Sequence, residues 1–454
     1  MNIIIVGCGK VGSTIAKQLC NEGYDVTVID NNPNKLRAVS DGMDAMAMVG
    51  DGTSYTTLRE AGIENADVLI AVTDSDEKNL LCCVIGKRTG NLAAIARVRN
   101  PVYSNEREFL QKGFGLAMLI NPESAGAEEM GRIFRFPSAI DIETFAKGKI
   151  ELLTVRIPDK SLLAGKPLTY IHQKLRTDVL VAVVRRKGQV IIPSGDFVIE
   201  AGDLVSVIAG HEQAHEFFRK IGIETHRVRD VLIIGGGKMT YYMAKNLAAS
   251  GIGVKIIEKD LKRSEVLSEL LPDAEIICGD GTDEDLLIEE GIEKVDGVAA
   301  VTGMDEQNIM LTLFARSQSE NVKTVTKVGK LSFTKVIDSL DLGSVVNPKE
   351  TTAEYIIQFV RSMRASMGSN VENLYKIANG EAEAIEFHVT EKTRAVSIPL
   401  VKLNTKKNIL IGKIFRNGRA FTPTGHDSIE VGDSVILVVL SEDKIRDLDD
   451  ILAY

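Results

Sequence analysis

The sequence predicts an α/β chain with two doubly wound parallel sheets, each followed by a small α+β module. Three observations predict it. Short apolar runs alternate with helix-period segments, as βαβ units require. A glycine-rich turn follows the first run, and an acid ends the second. The whole pattern then returns about halfway along the 454 residues. Gly7-Cys8-Gly9-Lys10 comes back as Gly235-Gly236-Gly237-Lys238, and Asp30 as Glu258. Gly50-Asp51-Gly52-Thr53 comes back as Gly279-Asp280-Gly281-Thr282, and Ala71-Val72-Thr73 with Asn79 as Ala300-Val301-Thr302 with Asn308.

The elements follow in order. Asn2–Val6 is a short apolar run bounded by Gly7, the pattern of a strand buried on both faces. Val11, Ile15 and Leu19 share one face of a helix. Asp25–Ile29 reads as the second strand. Further strands are expected at Asp44–Met48, Asp67–Val72, Leu92–Val98 and Leu116–Ile120. A helix from Pro122 to Phe134 is ended by Pro137. Segments Glu151–Ile157, Val179–Arg185, Gln189–Ile192 and Leu204–Ala209 then lie close together, as in a small α+β module. This module also repeats, with Gly188, Pro193, Gly195 and Gly202-Asp203 matching Gly418, Pro423, Gly425 and Gly432-Asp433. The charged helix His211–Lys220 and the segment Glu224–Arg229 join the halves. The expected domains are 1–136, 137–222, 229–350 and 369–454.

Bulk properties narrow the function. A net charge of −9 argues against a general nucleic-acid binder, which needs a basic face to displace counterions. Five cysteines without a CxxC pair suit a reducing compartment. Cys82-Cys83 is read as packing rather than redox chemistry. No charged leader with an apolar core opens the sequence, and no apolar stretch approaches the ~20 residues of a membrane span. Function at a membrane would therefore require docking on another protein.

The chemistry concentrates at the glycine turns. Gly7-Cys8-Gly9-Lys10-Val11-Gly12 is a full GxGxxG between a strand and a helix, the dinucleotide-binding mark of a Rossmann fold. Gly7 permits the tight turn, Gly9 lets backbone approach a diphosphate, and Gly12 lets helix pack on strand. The helix start offers free N–H groups to phosphate. Asp30 can receive both ribose hydroxyls and would repel a 2′-phosphate, which favours NAD or another adenine nucleotide over NADP. Asp51, Thr73, Asp74 and Arg97 fall at the sheet edge where such ligands bind, Arg97 as a basic group within reach of phosphate. The alternatives are helix caps at Thr53 and Asp74, and a surface salt bridge at Arg97. Ser13-Thr14 after Gly12 exclude the ATPase phosphate loop, which needs Lys and Ser/Thr there.

The second turn reads Gly235-Gly236-Gly237-Lys238-Met239-Thr240. Thr240 replaces the third glycine, and its side chain is expected to push helix from strand and narrow the phosphate pocket. Glu258 keeps the ribose acceptor and Asp280 copies Asp51, whereas Gly303 replaces Asp74 and Lys327 replaces Arg97. This site either binds a nucleotide differently or is structural. His211-Glu212-Gln213-Ala214-His215 matches the HExxH zinc motif, but its place at the start of a short charged helix points to a solvated surface. The remaining histidines are scattered, and no catalytic cluster accompanies the turns.

The opening Asn2-Ile3-Ile4-Ile5-Val6-Gly7-Cys8-Gly9-Lys10-Val11-Gly12, Asp30 and the GDGT at 50–53 together carry a resemblance. Further traits are Ala71-Val72-Thr73 with Asp76-Glu77 and Asn79, Ile95-Ala96-Arg97-Val98-Arg99, Asn121-Pro122-Glu123 and Glu200-Ala201-Gly202-Asp203. Over nearly its whole length the chain resembles the regulatory subunits of Trk potassium-uptake systems, built from two RCK (regulator of K⁺ conductance) repeats. The resemblance implies a non-catalytic, cytoplasmic homotetramer, peripheral on the inner face of the cell membrane. It implies a potassium-translocating membrane partner of TrkH/TrkG type and binding of NAD(H), ATP or ADP. By position the ligand contacts would be Gly7 to Val11, Asp30, Thr73, Asp74 and Arg97, then Gly235 to Met239 and Glu258. An NAD-dependent dehydrogenase, or a nucleotide-sensing regulator of another cation channel or antiporter, are the alternatives.

Overall fold

The computed structural model describes residues 1–453 except 41, 137, 138, 140, 146–149, 176, 178, 210, 224–227, 320, 330–339, 341, 367–369, 444 and 446. Pro137 and most of the 224–229 joining segment thus lie outside the described residues. The chain divides into two units, Met1–Arg135 with Arg227–Ile357, and Phe136–His226 with Gln358–Tyr454.

In chain order, the first half of the first unit is β1 (Asn2–Val6), α1 (Lys10–Asn21), β2 (Asp25–Asp30), α2 (Pro33–Ser40), β3 (Ala45–Val49), α3 (Tyr55–Glu60), β4 (Val68–Ala71), α4 (Asp76–Thr89), β5 (Ala93–Arg97), α5 (Pro101–Asn105), α6 (Arg107–Phe114), β6 (Met118–Ile120) and α7 (Pro122–Arg135). The strands form one parallel sheet in the order β3-β2-β1-β4-β5-β6. The order reverses at β1 and β4, and ligands bind at such a switch point beyond the strand ends.

The second unit opens with β7 (Asp141–Phe145), β8 (Ile150–Arg156), β9 (Leu180–Arg186), β10 (Gln189–Ile191), β11 (Leu204–Ala209) and α8 (His211–Lys220). They make an antiparallel sheet ordered β10-β9-β11-β8-β7. Edge strand β7 adds to the four strands expected from the sequence.

The first unit resumes with β12 (Asp230–Ile234), α9 (Lys238–Ala249), β13 (Gly253–Glu258), α10 (Leu261–Leu270), β14 (Ala274–Cys278), α11 (Glu284–Glu289), β15 (Gly297–Ala300), α12 (Asp305–Gln318), β16 (Lys323–Lys327), β17 (Ser344–Val346) and the part of α13 (Pro348–Ser366) up to Ile357. Its sheet order, β14-β13-β12-β15-β16-β17, repeats the first. The first half lends a helix to the second. Ala127, Met130 and Phe134 of α7 are buried in the core of the second half, with Val231, Ile233, Met243 and Val254. The contact is tight, because a β-carbon at Gly297 would come within 2.8 Å of the Phe134 ring.

The second unit ends with β18 (Val371–Ile377), β19 (Ala382–His388), β20 (Ile409–Arg416), β21 (Arg419–Phe421) and β22 (Ser434–Leu440), ordered β18-β19-β22-β20-β21. Its two sheets face each other. Leu152, Val183 and Ile208 of one meet Ala384, Ile436 and Val438 of the other, while Leu153, Val205 and Val207 point to the opposite face with Phe217 and Phe218. This two-faced burial follows from the period of two along a strand. Each sheet carries one pinned carboxylate. Arg186 holds the buried Asp203 at 2.6 and 2.8 Å, and Arg416 holds Asp433 at 2.7 and 2.9 Å.

Candidate nucleotide-binding site

Gly7 stands at φ +103°, a conformation that side-chain-bearing residues rarely adopt, and Gly235 repeats it at +108°. Gly9 caps α1 in extended backbone, and a β-carbon added there would meet nothing within 4 Å. Gly12 differs, since its β-carbon would run into the carbonyl of Gly7. The three glycines therefore serve a turn, an open approach and a close packing.

Asp30 is buried at the end of β2. Its Oδ2 accepts the Cys8 N–H at 2.7 Å and its Oδ1 the Asn32 N–H at 2.8 Å. Lys35 stands 3.9 Å away. A carboxylate offers about four lone-pair sites, so each oxygen keeps one for a ribose hydroxyl. The carboxylate is thus fixed in place before any ligand arrives.

Gly7, Gly9, Asp30, Asp51, Thr73, Asp74 and Arg97 line one cavity of about 330 Å³ over the C-terminal edge of the first sheet. Asn31, Lys35, Lys78 and Arg99 line it as well, and none of them was among the expected ligand contacts. Asp51 Oδ1 accepts both the N–H and the hydroxyl of Thr53, at 2.9 and 2.8 Å, and these bonds hold its carboxyl below the usual range. Neither Thr53 nor Asp74 caps a helix. Ser54 and Ser75 do, accepting from Thr57 and Lys78 N–H.

Arg97 donates to the carbonyl of Thr73 rather than to a carboxylate. Burial, then neighbouring Arg99, lowers its pKa, and its Nε has no partner. The salt bridge that was the alternative for Arg97 belongs instead to Arg99, which pairs with Glu123.

The remaining predicted residues fall elsewhere. Cys8 contributes its N–H, while its buried thiol points to the Lys35 carbonyl and is pushed up by burial and by Asp30. Gly12 is buried within α1. Lys10 and Val11 line a second cavity of about 800 Å³ between the two halves of this unit, facing Gly237, Lys238 and Met239. Lys10 Nζ reaches the carbonyl of Gly329 at 3.3 Å.

In the second half Glu258 accepts the N–H groups of Gly236 and Asp260, at 2.6 and 2.8 Å. Asp280 accepts Thr282 twice, as Asp51 does Thr53, and is lowered for the same reason. Arg263 Nε donates to the Gly236 carbonyl at 2.7 Å, laying a guanidinium on the turn. Thr240 is fully buried and its hydroxyl donates to the Gly235 carbonyl. Its side chain therefore stays out of the pocket, and α9 stands far enough from the turn to admit a β-carbon that the first half excludes.

Cys82 and Cys83 are fully buried, and burial pushes the Cys82 thiol up to about 12. That fits packing. The imidazoles of His211 and His215 lie outside the described residues. Among the described residues no cluster suits a metal ion, and no helix is long and apolar enough to cross a membrane.

Comparison with known proteins identifies the family and the fold. Residues 3–122 and 231–348 match the TrkA-N domain, and residues 152–222 match the TrkA-C domain. A Trk system potassium uptake protein TrkA homolog from Archaeoglobus fulgidus is 33% identical over 451 residues, covering 99% of this chain and 100% of the relative. The Trk system potassium uptake protein TrkA of Vibrio alginolyticus is 30% identical over 456 residues, covering 99% and 98%. Among solved structures, the GsuK channel bound to NAD aligns with a TM-score of 0.63 at 18% identity, over 97% of this chain and 77% of that one. The GsuK RCK domain aligns with a TM-score of 0.61 at 18% identity, over 97% and 92%. At that identity the likeness concerns the fold.

Proposed function

This chain belongs to the TrkA family of Trk system potassium uptake proteins, and from that membership we propose that it is a nucleotide-responsive regulatory subunit of a potassium-uptake system. The observation that carries the proposal is the first-half turn. Gly7 is bent back, Gly9 is open and Asp30 is held by the Cys8 N–H, an arrangement matched to a diphosphate and a ribose. NAD(H), ATP or ADP is the ligand. Gly7, Gly9, Asp30, Asp51, Thr73, Asp74 and Arg97 meet it, together with the N–H groups of Lys10 and Val11, while the Cys8 N–H holds Asp30. Gly235 to Met239, Glu258 and Asp280 form a second, altered site. The GsuK channel, of the same fold, has been solved with NAD bound.

No reaction takes place at the site. Asp30 and Asp51 are committed to backbone N–H groups and Arg97 to a carbonyl, an arrangement that binds without moving protons. The ligand instead favours one arrangement of the two halves over another, by its difference in affinity for them. The subunit works as a homotetramer on the inner face of the membrane and passes that change to a potassium-translocating subunit of TrkH/TrkG type. The test is potassium uptake by cells carrying Asp30→Ala or Gly9→Val. Uptake should lose its response to nucleotide in both. An unaltered response in both would refute the proposal.

A further inference from the structure

Strands β4 and β5 stop pairing at Ala71 and Ala96, just before they reach the cavity. Thr73 and Arg97 lie beyond that last rung. Arg97 still pairs with Ile120 of β6, but the β4–β5 pairing no longer joins it to Thr73. A single side chain makes that join. Asn79, fully buried near the start of α4, accepts the Thr73 N–H at 2.8 Å and the Thr73 hydroxyl at 2.7 Å. Its Nδ2 donates to the Arg97 carbonyl at 2.9 Å and the Thr73 carbonyl at 3.3 Å. Both donors and both acceptor positions of the amide are used, so no other orientation serves as well. The same Thr73 carbonyl also receives the Arg97 guanidinium, closing a triangle of three residues.

The second half builds this again. The β15–β16 pairing there stops at Ala300 and Thr326, while Lys327 pairs with Val346 of β17. Asn308 accepts from the Thr302 N–H and hydroxyl at 2.8 and 2.7 Å, and donates to the Lys327 and Thr302 carbonyls at 3.0 and 3.4 Å. The duplication thus supplies an internal control, with the same buried amide standing in the same role beside two different turns.

We propose that Asn79 is a positioning residue of the first nucleotide site, holding Thr73 and Arg97 where they meet the ligand. The inference rests on the nucleotide-binding role proposed for the first-half turn. Asn79 has no exposed surface and acts through Thr73 and Arg97. An aspartate there would lose both N–H donors and turn a negative charge toward two carbonyls. Protonation would return one donor.

The experiment uses the full chain in a Gly237→Val background, which fills the open space at the second turn and leaves the first to be read alone. Titration calorimetry with NADH and with ATP is run on this parent and on the parent carrying N79D or N308D. Thermal unfolding is measured beside it. Both variants should lose stability to a similar degree. N79D should weaken binding at the first site about tenfold, the loss expected when hydrogen-bonded groups are displaced, and N308D by less than about twofold. The N79D deficit relative to the parent should shrink as pH falls and the new carboxyl takes up its proton. Equal affinities in N79D and N308D, with the parent binding normally, overturn this inference alone. No binding by the parent overturns the site itself and this inference with it. Should N79D fail to fold, Asn79→Ala against Asn308→Ala decides the question by the same comparison of affinities.

Discussion

Gly9→Val separates ligand binding from folding. Gly9 sits at φ −74° and ψ −174°, extended backbone open to any residue, and a β-carbon there meets nothing within 4 Å. Valine is a poorer helix cap than glycine but restricts the unfolded chain more. These effects oppose each other, and the net change in stability should stay within about 1 kcal/mol. The new methyl groups fill the space in front of the α1 amides. Losing two charge-assisted hydrogen bonds to phosphate, at about 1.5–3 kcal/mol each, weakens binding by about 3–6 kcal/mol, or roughly 10²- to 10⁴-fold. Calorimetry with NADH, ATP and ADP measures the affinity, and the ligand-induced rise in melting temperature, present in the native chain and absent in the variant, gives a second reading. A folded Gly9→Val protein with native affinity would refute the assignment of this turn to phosphate. Gly12→Ala is the counterpart. Its methyl group collides with the Gly7 carbonyl, so it should lower stability by about 1–3 kcal/mol.

Three further outcomes are expected. Asp51 has a folded pKa below its unfolded value because Thr53 donates to it twice. A depressed carboxyl stabilises the fold above its unfolded pKa, near about 3.9, and that contribution disappears as pH falls toward the folded value. Asp51→Asn should therefore flatten the acid limb of a stability-versus-pH curve measured by urea unfolding, and an unchanged limb would contradict the assignment. Arg186→Ala would strand the buried Asp203 carboxylate and should cost about 3–5 kcal/mol, with Arg416→Ala acting alike on Asp433. A melting temperature unmoved in both variants would show that these pairs are dispensable. Brief iodoacetamide treatment of the native protein should label exposed Cys278 first and leave Cys82 and Cys83 intact by mass spectrometry. Equal labelling of all three would show that the α4 core opens readily.

The repeat and its sheets were legible because their marker residues answer to stereochemistry. Only glycine tolerates φ +103° at Gly7, and an acid must end β2 if it is to catch the turn amides. The helix α7 was legible from its bounds, Pro122 to Phe134, and its Ala127, Met130 and Phe134 form a buried stripe. A stripe states that a surface is buried without naming what buries it, so its place in the second half was hidden. Edge strand β7 went unseen because a short edge segment carries little alternation. In β9 the alternation is broken where Ala182 bulges out of register with β11. Arg97 offered a charge to the reader but no direction, and its guanidinium is turned to the Thr73 carbonyl. Asn79 was visible as a repeated letter, while its function depends on two backbones that come together only in the folded sheet. Thr240 was expected to narrow the second pocket. It instead satisfies its hydroxyl on Gly235, an option that a threonine has and an alanine lacks.

The lent helix bears on how such a chain arose. A polypeptide ending after Arg135 would keep α7 but lack the sheet that covers Phe134, leaving a greasy handle in water. Two copies would cure this by each lending the handle to the other. The duplicated chain can accordingly be understood as an ancient pair of twins, fused end to end. The second half departs from the first at Thr240, Gly303 and Lys327, while the shared skeleton keeps both upright.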